Sequence, residues 1–428
     1  MLLHLILFLS TFFSVIHLLS AHRFKNEKII YNVFQRGMSI LVPCYNEAPI
    51  LKYTVEGLLN VEYSNMEVIF INDGSTDGTF ETLDKLLDLH IWNDKAYTYL
   101  SPKVRGIYRS SIYPFIYVID KYNSGKADSL NVGVGFARKE LIVTMDGDCV
   151  LEKNALANMN KVFDDDDVIA AGGVVHIMQM FKLNTKPSRI VVMQALDYIK
   201  GFYIYKASLA YNKALTIISG AFGAFRKSVI KEIGGFKKGL GEDIDITIRL
   251  QEYAHKNNKK VVYNTNSICY TECPETLIGL IRQRVRWQKG FIDAILNNSS
   301  FLIRNILRNN VCFYMLVDAL LSNSLATVVF IINLILLWVK LVYGYPIHML
   351  TYYFTTIVFN IMSSIVAIRE AKKYVTDLKI LPLYLSIIYD LTFFQLLRIY
   401  FFLAGAIMYC FNHKKWYKVV RTNNYYRI

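Results

Sequence analysis

Between residues 37 and 290, short runs of β-branched and other apolar residues alternate with segments of helical periodicity, and this alternation most restricts the fold. Strands and helices that alternate along a chain form βαβ units, so we expect an α/β domain with a mainly parallel sheet. The patterns predict buried strands over 39–43, 67–72, 115–119 and 141–145, and helices over 48–60, 77–89 and 126–138.

Polar and acidic residues follow three of the predicted strands. Tyr45 and Glu47 come after the first strand, Asp73 stands directly at the end of the second, and Asp146 and Asp148 come after the fourth. In parallel α/β sheets, ligands bind at the carboxyl ends of the strands, so we predict a binding site there. Two carboxylates on either side of a glycine suit Mg²⁺ or Mn²⁺, hard cations that also bind diphosphate oxygens.

A glycine followed by a lysine, Gly125-Lys126, stands at the start of the third predicted helix. Free N–H groups and an ammonium at a helix start suit a phosphate, although the same residues also fit an ordinary loop. Asp73 likewise fits a simple turn, with Thr76 or Asp77 as a helix N-cap. A strand-end diacid downstream of Gly-Lys, in a chain without a Walker-type Gly-x-x-x-x-Gly-Lys loop, favours a nucleoside diphosphate.

The first 22 residues contain no Asp, Glu, Lys or Arg, and a basic segment follows them. A cleaved signal peptide carries its positive charges before the apolar run, so we predict a retained transmembrane anchor over 1–22. The C-terminal part is also apolar. Residues 319–339 and 341–368 lack formal charge, and 380–413 contains only Asp390 and Arg398. We therefore predict transmembrane helices over 319–413.

The chain has a formal net charge of +14, and its basic clusters lie next to the apolar segments. The positive-inside rule assigns these clusters, including the basic tail 414–428, to the cytosol, and the domain 37–290 with them. Residues 291–318 are predicted to form interfacial amphipathic helices. The segment 380–413 is short for two membrane crossings and long for one, and an interfacial or re-entrant helix is an alternative. No nucleic-acid recognition motif or basic stripe occurs, so a nucleic-acid partner is not expected.

Seven motifs follow one another along the chain: Pro43-x-Tyr45-Asn46-Glu47, Asp73-Gly-Ser-Thr-Asp77, Gly125-Lys126-Ala-Asp-Ser-Leu-Asn131, Asp146-x-Asp148, Ser219-Gly220-Ala-Phe-Gly223, Gly241-Glu242-Asp243 and Gln283-Arg-Val-Arg286-Trp287. Taken together and in this order, they resemble the motifs of family 2 inverting glycosyltransferases. More narrowly, they are similar to the membrane-embedded processive synthases, such as bacterial poly-N-acetylglucosamine, hyaluronan and cellulose synthases. The resemblance spans about residues 38–290 and implies a GT-A-type, Rossmann-like cytosolic domain joined to an α-helical transmembrane region.

The resemblance implies a role for each donor-side residue. Asp73 would hold the uracil or ribose, and Lys126 would face the diphosphate. Asp146 and Asp148 would hold the nucleotide and the metal ion, with Asp148 as a direct ligand. The nucleotide-binding set implied by the family also includes Pro43, Tyr45, Glu47 and Arg286.

On the acceptor side, the resemblance implies that Asp243 is the general base that deprotonates the attacking hydroxyl, with Glu242 orienting it. Acidic residues are also favoured at helix N-termini for electrostatic reasons alone. Gln283, Arg286 and Trp287 would lie on one helix, where arginine neutralises the departing diphosphate and the indole stacks on the acceptor sugar. A tryptophan there also suits an aromatic anchor at the membrane surface.

The family resemblance implies a processive inverting β-glycosyltransferase that polymerises a UDP-sugar, with UDP-GlcNAc as the expected donor, and passes the polymer through its own membrane helices. It would be a multi-pass protein of the bacterial plasma membrane that works on a growing polysaccharide, with a small membrane accessory subunit or an exporter as a further partner. One alternative is a non-processive transferase that adds a sugar to a lipid carrier. Another is a regulatory membrane protein with a transferase-like domain, which the intact acidic set disfavours.

Overall fold

A computed structural model of the chain describes residues 2–26, 34–92, 103–181, 186–325 and 347–412. Its centre is a ten-stranded sheet in the order β3-β4-β5-β2-β1-β6-β9-β8-β10-β7. The strands are β1 (Met38–Cys44), β2 (Met66–Asp73), β3 (Leu89–Ile91), β4 (Val104–Ser110), β5 (Ile116–Lys121), β6 (Leu141–Met145), β7 (Cys149–Leu151), β8 (Val168–Ile177), β9 (Phe222–Arg226) and β10 (Lys260–Thr271).

The four strands predicted from the sequence form the middle of this sheet. β5, β2, β1 and β6 are neighbours, and each pairs in parallel with the next. Their side chains are almost completely buried, because helices cover both faces of the sheet and both faces are therefore apolar. This burial explains why these strands appear in the sequence as continuous apolar runs.

The expectation of a mainly parallel sheet is wrong for the sheet as a whole. Beyond the parallel centre, β4 pairs antiparallel with both β3 and β5, and β9 pairs antiparallel with both β6 and β8. The short strand β7 pairs antiparallel with β10, which itself runs parallel to β8. The described pairings are thus four parallel and five antiparallel, and the fold is a mixed sheet with helices on both faces.

Helices pack on both faces of the sheet, and those predicted at 48–60, 77–89 and 126–138 are present with slightly shorter bounds. The helices up to the last strand are α1 (Leu2–Arg23), α2 (Leu51–Leu59), α3 (Thr79–Leu87), α4 (Lys126–Phe136), α5 (Ala155–Val162), α6 (Arg189–Lys200), α7 (Ala207–Tyr211), α8 (Lys227–Glu232) and α9 (Glu242–Asn257). A π-helical segment, Gly201–Lys206, joins α6 to α7 without a break.

In the part of the chain that the structure describes, six helices follow the sheet: α10 (Leu277–Asn297), α11 (Ser299–Arg304), α12 (Asn310–Phe313), α13 (Ile347–Tyr374), α14 (Ile380–Tyr389) and α15 (Gln395–Asn412). The domain boundary predicted at residue 290 therefore falls inside α10. A π-helical segment, Tyr314–Leu325, continues α12, and the residues between it and α13 lie outside the described part of the chain, as does the predicted tail 414–428.

Within the described residues, one helix, Ile380–Phe411, is long and apolar enough to cross a membrane. It consists of α14, a π-helical turn at Asp390–Phe394 and α15, and it runs without interruption. The described residues 380–412 therefore do not form two membrane crossings, which was one of the alternatives that the sequence left open. The predicted anchor 1–22 is helical as α1, whereas most of the predicted span 319–339 lies outside the described residues.

Candidate active site

The carboxyl ends of the parallel strands bring the predicted donor-side residues to one edge of the sheet. Asp73 is the last residue of β2, and Asp146 directly follows β6. Pro43 is the penultimate residue of β1, and Tyr45 and Glu47 follow that strand. Because β1 pairs in parallel with both β2 and β6, these three strand ends lie side by side.

The carboxylate of Asp73 is buried and is held from several sides. It accepts hydrogen bonds from the backbone N–H groups of Ser124 (2.9 Å) and Gly125 (2.8 Å), and it forms an ion pair with Lys121. Lys121 is the last residue of β5, is fully buried, and also lies 3.0 Å from the carboxylate of Asp128 on α4. The end of β2 is therefore tied to the loop that begins the Gly125-Lys126 helix.

The turn Asp146-Gly147-Asp148 is fixed by neighbours on the β1 side. The hydroxyl of Thr54 on α2 donates a hydrogen bond of 2.7 Å to the carbonyl oxygen of Gly147. A Cβ atom on Gly147 would lie 3.2 Å from Cγ of Glu47, so a larger residue would press on that buried side chain. The glycine thus lets two acids, one on each side of it, sit close to the end of β1.

Asp146, Asp148 and Cys149 are the described residues whose donor atoms group closely enough for a metal ion, within 4.8 Å of one another. Burial, together with the neighbouring Cys269, raises the pKa of the Cys149 thiol well above its usual range. A protonated thiol is a poor donor for a hard cation such as Mg²⁺ or Mn²⁺. The two carboxylates remain, and oxygen donors of this kind fit Mg²⁺ or Mn²⁺.

Lys126, at the first turn of α4, connects the two halves of the site. Its ammonium lies 2.6 Å from the carboxylate of Asp146 and 3.0 Å from that of Glu242. Burial alone would lower the pKa of Lys126, but these two carboxylates outweigh it and raise the pKa above its usual range. The ammonium is therefore charged at neutral pH and stands between the predicted metal-binding acid and the acidic start of α9.

Asp243 lies at the start of α9, next to Glu242. Its carboxylate accepts hydrogen bonds from the backbone N–H groups of Ile244 (2.9 Å) and Gly220 (3.4 Å). A Cβ atom on Gly220 would lie 2.8 Å from the Lys126 nitrogen, so the glycine leaves room for that ammonium beside Asp243. Burial and the adjacent Glu242 raise the pKa of Asp243, and Lys126 opposes them. A carboxylate of raised pKa is a stronger base than an ordinary aspartate.

The remaining predicted residues, Gln283, Arg286 and Trp287, all lie on α10, as the spacing requires. Gln283 is buried, and its side-chain oxygen has no hydrogen-bond partner among the described residues. Trp287 is 38% exposed and lines a cavity of about 400 Å³ together with Ile244, the residue after Asp243. The structure therefore places the Trp287 side of α10 next to the start of α9, and the diacid turn lies on the other side of Lys126.

Two parts of this arrangement were missed in the sequence. Lys121 holds Asp73 and Asp128, yet the third strand was predicted to end two residues before it. A polar residue after an apolar strand was the available signal, as it was for Asp73. Arg284 forms an ion pair of 2.9 Å with Asp197 on α6, a contact between residues 87 positions apart that no local pattern indicates.

The chain is similar in sequence to known glycosyl transferases. The sequence profile described as "Glycosyl transferase family 2" matches residues 39–234. The curated relatives include the poly-beta-1,6-N-acetyl-D-glucosamine synthase of Staphylococcus epidermidis, which is 28% identical over 263 residues, 61% of this chain and 56% of the relative. The enzyme of the same name from Staphylococcus aureus (strain COL) is 29% identical over 275 residues, 64% of this chain and 59% of the relative. The matched segments thus span little more than half the length of these relatives.

Among solved structures, the chain is similar to a mannosyltransferase from Pyrobaculum calidifontis in complex with GDP-Man and Mn²⁺. The TM-score is 0.58 at 16% sequence identity, and the match covers 96% of this chain and 99% of the other. At this identity the likeness establishes the fold alone.

A second sequence profile, described as "Glycosyl transferase family group 2", matches residues 141–410. This match covers well over half of the chain, and it includes the diacid turn, the start of α9 and α10. The chain therefore belongs to glycosyl transferase family group 2.

Proposed function

We propose that this protein is a processive inverting β-glycosyltransferase that extends a polysaccharide from a UDP-sugar. The observation that carries the proposal is the position of the Lys126 ammonium, within 3.0 Å of both Asp146 and Glu242. The lysine joins a diacid that suits a metal-bound diphosphate to a carboxylate pair that suits proton abstraction. Donor activation and acceptor activation would thus take place within one continuous cluster of charges.

On the donor side, Asp148 and Asp146 would hold Mg²⁺ or Mn²⁺, which would neutralise charge on the diphosphate as it leaves. Lys126 supplies a second positive charge that can move from the carboxylates to the phosphate oxygens. The buried Asp73 and the loop at Gly125 would hold the nucleoside, with Pro43, Tyr45 and Glu47 forming the adjoining wall. Arg286 on α10 would complete the neutralisation of the leaving group.

On the acceptor side, Asp243 would accept the proton of the attacking hydroxyl. The hydroxyl oxygen then forms a bond to the anomeric carbon while the bond between that carbon and the diphosphate oxygen breaks. One displacement of this kind inverts the anomeric configuration and needs no covalent nucleophile. Glu242 would keep Lys126 and Asp243 in position, and Gln283 and Trp287 would bind the acceptor sugar.

The names of the relatives support the choice of donor. Both relatives are named poly-beta-1,6-N-acetyl-D-glucosamine synthase, so we propose UDP-GlcNAc as the donor for this enzyme. We further propose that the protein is a multi-pass protein of the bacterial plasma membrane with a cytosolic catalytic domain. The polymer would pass between its own membrane helices, of which Ile380–Phe411 is one, and an accessory membrane subunit or exporter would complete the system.

The test is polymer formation by the purified protein in lipid nanodiscs. Four donors, UDP-GlcNAc, UDP-glucose, UDP-glucuronate and UDP-ManNAc, are each supplied with Mg²⁺ or Mn²⁺, and products are sized with and without EDTA. The proposal predicts long chains from UDP-GlcNAc that need the metal. Transfer of single sugars to added lipid carrier would favour the non-processive alternative. UDP binding without transfer to any acceptor would favour a regulatory role, and absence of UDP binding would overturn the whole proposal.

A further inference from the structure

A chain of ion pairs joins three helices on the acceptor side of the site. Asp197 on α6 lies 2.9 Å from Arg284 on α10 and 3.0 Å from Arg398 on α15. Arg398 also lies 2.6 Å from Asp390, which in turn lies 2.8 Å from Lys200 on α6. These five residues are named the Asp197 network.

The network contains both charged residues of the candidate membrane helix. Asp390 is completely buried, and Arg398 is 30% exposed at its side chain. Their partners Asp197 and Lys200 belong to α6, which precedes them by about 190 residues. The two charged residues that interrupt the apolar segment 380–413 therefore face the catalytic domain. Their charges are neutralised there by residues of α6, and these ion pairs hold the helix against α6.

At one end of the network, Arg284 contacts Trp287, the residue predicted to bind the acceptor sugar. The guanidinium carbon of Arg284 lies 4.4 Å from the centre of the Trp287 ring, and the Trp287 ring lies 6.1 Å from that of Tyr198 on α6. Asp197 binds one nitrogen of Arg284, whereas Nε and Nη2 are buried and have no hydrogen-bond partner among the described residues. Asp197 is thus the contact that sets the orientation of the guanidinium under the indole.

The other side of the same residues faces a cavity. Arg284, Trp287 and Arg398 all line the cavity of about 400 Å³ that also contacts Ile244. The cavity therefore lies between α10, α15 and the start of α9. A shift of either arginine would change the shape of its wall beside Trp287.

The charges of the network identify Asp197 as its centre. It is the one described acid that contacts both Arg284 and Arg398, so it separates two positive groups that would otherwise repel each other. Burial alone would raise the pKa of Asp197, but the two arginines lower the pKa below its usual range. The carboxylate is therefore ionised throughout the neutral range and keeps both arginines in place.

We propose that Asp197 is a positioning residue. It links Arg284 to Arg398 of the C-terminal helix, and Arg284 in turn holds the Trp287 ring in place. Asp197 would thereby set the shape of the cavity wall that binds the acceptor. This inference rests on the proposed function, because it assigns the Trp287 cavity to the acceptor. In this arrangement a displacement of the helix Ile380–Phe411 is transmitted to Arg284 through Arg398 and Asp197. The C-terminal helix then helps to decide how well an acceptor binds, without contacting the donor.

The test compares Asp197→Asn with wild type and with Asp197→Glu, which keeps the negative charge. A matched control is Glu67→Gln, because Glu67 is also a buried carboxylate paired with an arginine, Arg138 at 3.0 Å, but at the start of β2. Two quantities are measured for each protein in nanodiscs: the Kd for UDP, and kcat and KM for an added oligosaccharide acceptor. Misplacement of a positioned group by about 1 Å can cost up to about a hundredfold in rate, so we expect an acceptor KM raised about tenfold by Asp197→Asn. UDP affinity should not change, and Asp197→Glu should recover most of the loss.

A second readout does not depend on activity. In a background in which Trp92, Trp338 and Trp416 are replaced by phenylalanine, Trp287 is the sole tryptophan of the chain. We expect Asp197→Asn to shift its fluorescence to longer wavelength and to increase quenching by iodide, because the indole loses the guanidinium that covers one face. Arg284→Gln should produce the same spectral change, which provides a second variant if Asp197→Asn folds poorly.

The outcomes separate this proposal from the proposed function. An unchanged Trp287 spectrum in both variants, or an acceptor KM that changes no more than in Glu67→Gln, would overturn the role of Asp197. If wild type transfers no sugar while the Trp287 spectrum responds as expected, the positioning contact is correct and the assigned reaction is wrong. A rise in UDP Kd that equals the rise in acceptor KM would also contradict the proposal, because it would indicate a general loss of structure.

Discussion

Gly241 and Gly290 contact each other through their backbones, and this contact places the start of α9 directly against α10. A Cβ atom on Gly241 would lie 2.6 Å from the carbonyl oxygen of Gly290, and one on Gly290 would lie 2.7 Å from the carbonyl oxygen of Leu240. Neither neighbour can move away easily, since both are main-chain atoms. The two glycines therefore fix the distance between Asp243 and the helix that carries Trp287.

We predict that Gly290→Ala lowers both stability and activity. Alanine in a helix interior gains about 1 kcal/mol over glycine in helix propensity. The added methyl group must push two backbone segments apart, and overpacking of this kind costs about 1–3 kcal/mol, so the net effect should be a loss. Thermal unfolding and the transfer rate of the purified variant measure the two effects.

The matched control is Gly201→Ala. Gly201 also has helical dihedral angles, but a Cβ atom there would have no other atom within 4 Å. This variant should be more stable than wild type by about 0.5–1 kcal/mol. Equal behaviour of the two alanine variants would mean that the Gly241–Gly290 contact does not constrain the site.

A second prediction concerns Lys121, which is fully buried between Asp73 and Asp128. Lys121→Met would leave Asp73 buried without a counter-charge, and removal of one partner from a buried ion pair costs about 3–5 kcal/mol. We expect a clearly lower unfolding temperature and weaker UDP binding, because Asp73 no longer keeps its position. Lys153→Met provides the contrast, since the pair of Lys153 with Glu62 is exposed, and neither quantity should change measurably there.

The pH dependence of transfer provides a third prediction. Asp243 must be ionised to accept a proton, and burial and Glu242 raise its pKa above that of an ordinary aspartate. The transfer rate should therefore rise with pH through this raised pKa. The acid limb of the pH–rate profile should then lie at higher pH than is expected for an exposed carboxyl group. Metal binding measured at the same pH values distinguishes this limb from loss of the ion.

Glu242→Gln tests the cause of that shift. Removing the adjacent negative charge should lower the pKa of Asp243 and move the acid limb of kcat to lower pH. An acid limb that stays in place or moves to higher pH would contradict Asp243 as the group that titrates.

A fourth prediction concerns the metal ion. Asp148→Ala removes a buried oxygen donor from the diacid turn, so Mn²⁺ should no longer strengthen UDP binding. Asp166 offers a matched acid outside the site, with a side chain that is 91% exposed. Asp166→Ala should keep the metal dependence of wild type, and a similar loss in both variants would exclude the diacid turn as the metal site.

The sequence predicts the parallel centre of the sheet well because strands such as β1 and β6 are buried on both faces and are therefore apolar throughout. The flanking antiparallel part was not predicted. β7 has only three residues, and β9 follows a helical region, so neither has a periodicity that separates it from a turn. Pairing with distant strands, such as β10 with β7, provides the stability that local propensity does not.

The site shows the same division. Asp146 and Asp148 were predicted as site residues because a strand end followed by acids has a local signature. Lys121 was missed because the polar end of β5 was assigned to a loop. Asp390 and Arg398 were recognised only as interruptions of an apolar segment, because their partners Asp197 and Lys200 are about 190 residues away. Contacts of this kind depend on how helices pack and leave no periodic trace in the sequence.

Asp243 is proposed to accept the acceptor proton, while other residues of the same charge cluster bind the nucleotide and the metal ion. The most direct measurement is sugar transfer by Asp243→Asn beside its binding of UDP and Mn²⁺. Because the ionised carboxylate is disfavoured by burial, the asparagine variant should unfold close to the wild-type temperature at neutral pH. We predict that transfer is abolished while UDP affinity stays within about twofold of wild type. Near-normal turnover by Asp243→Asn would contradict the account.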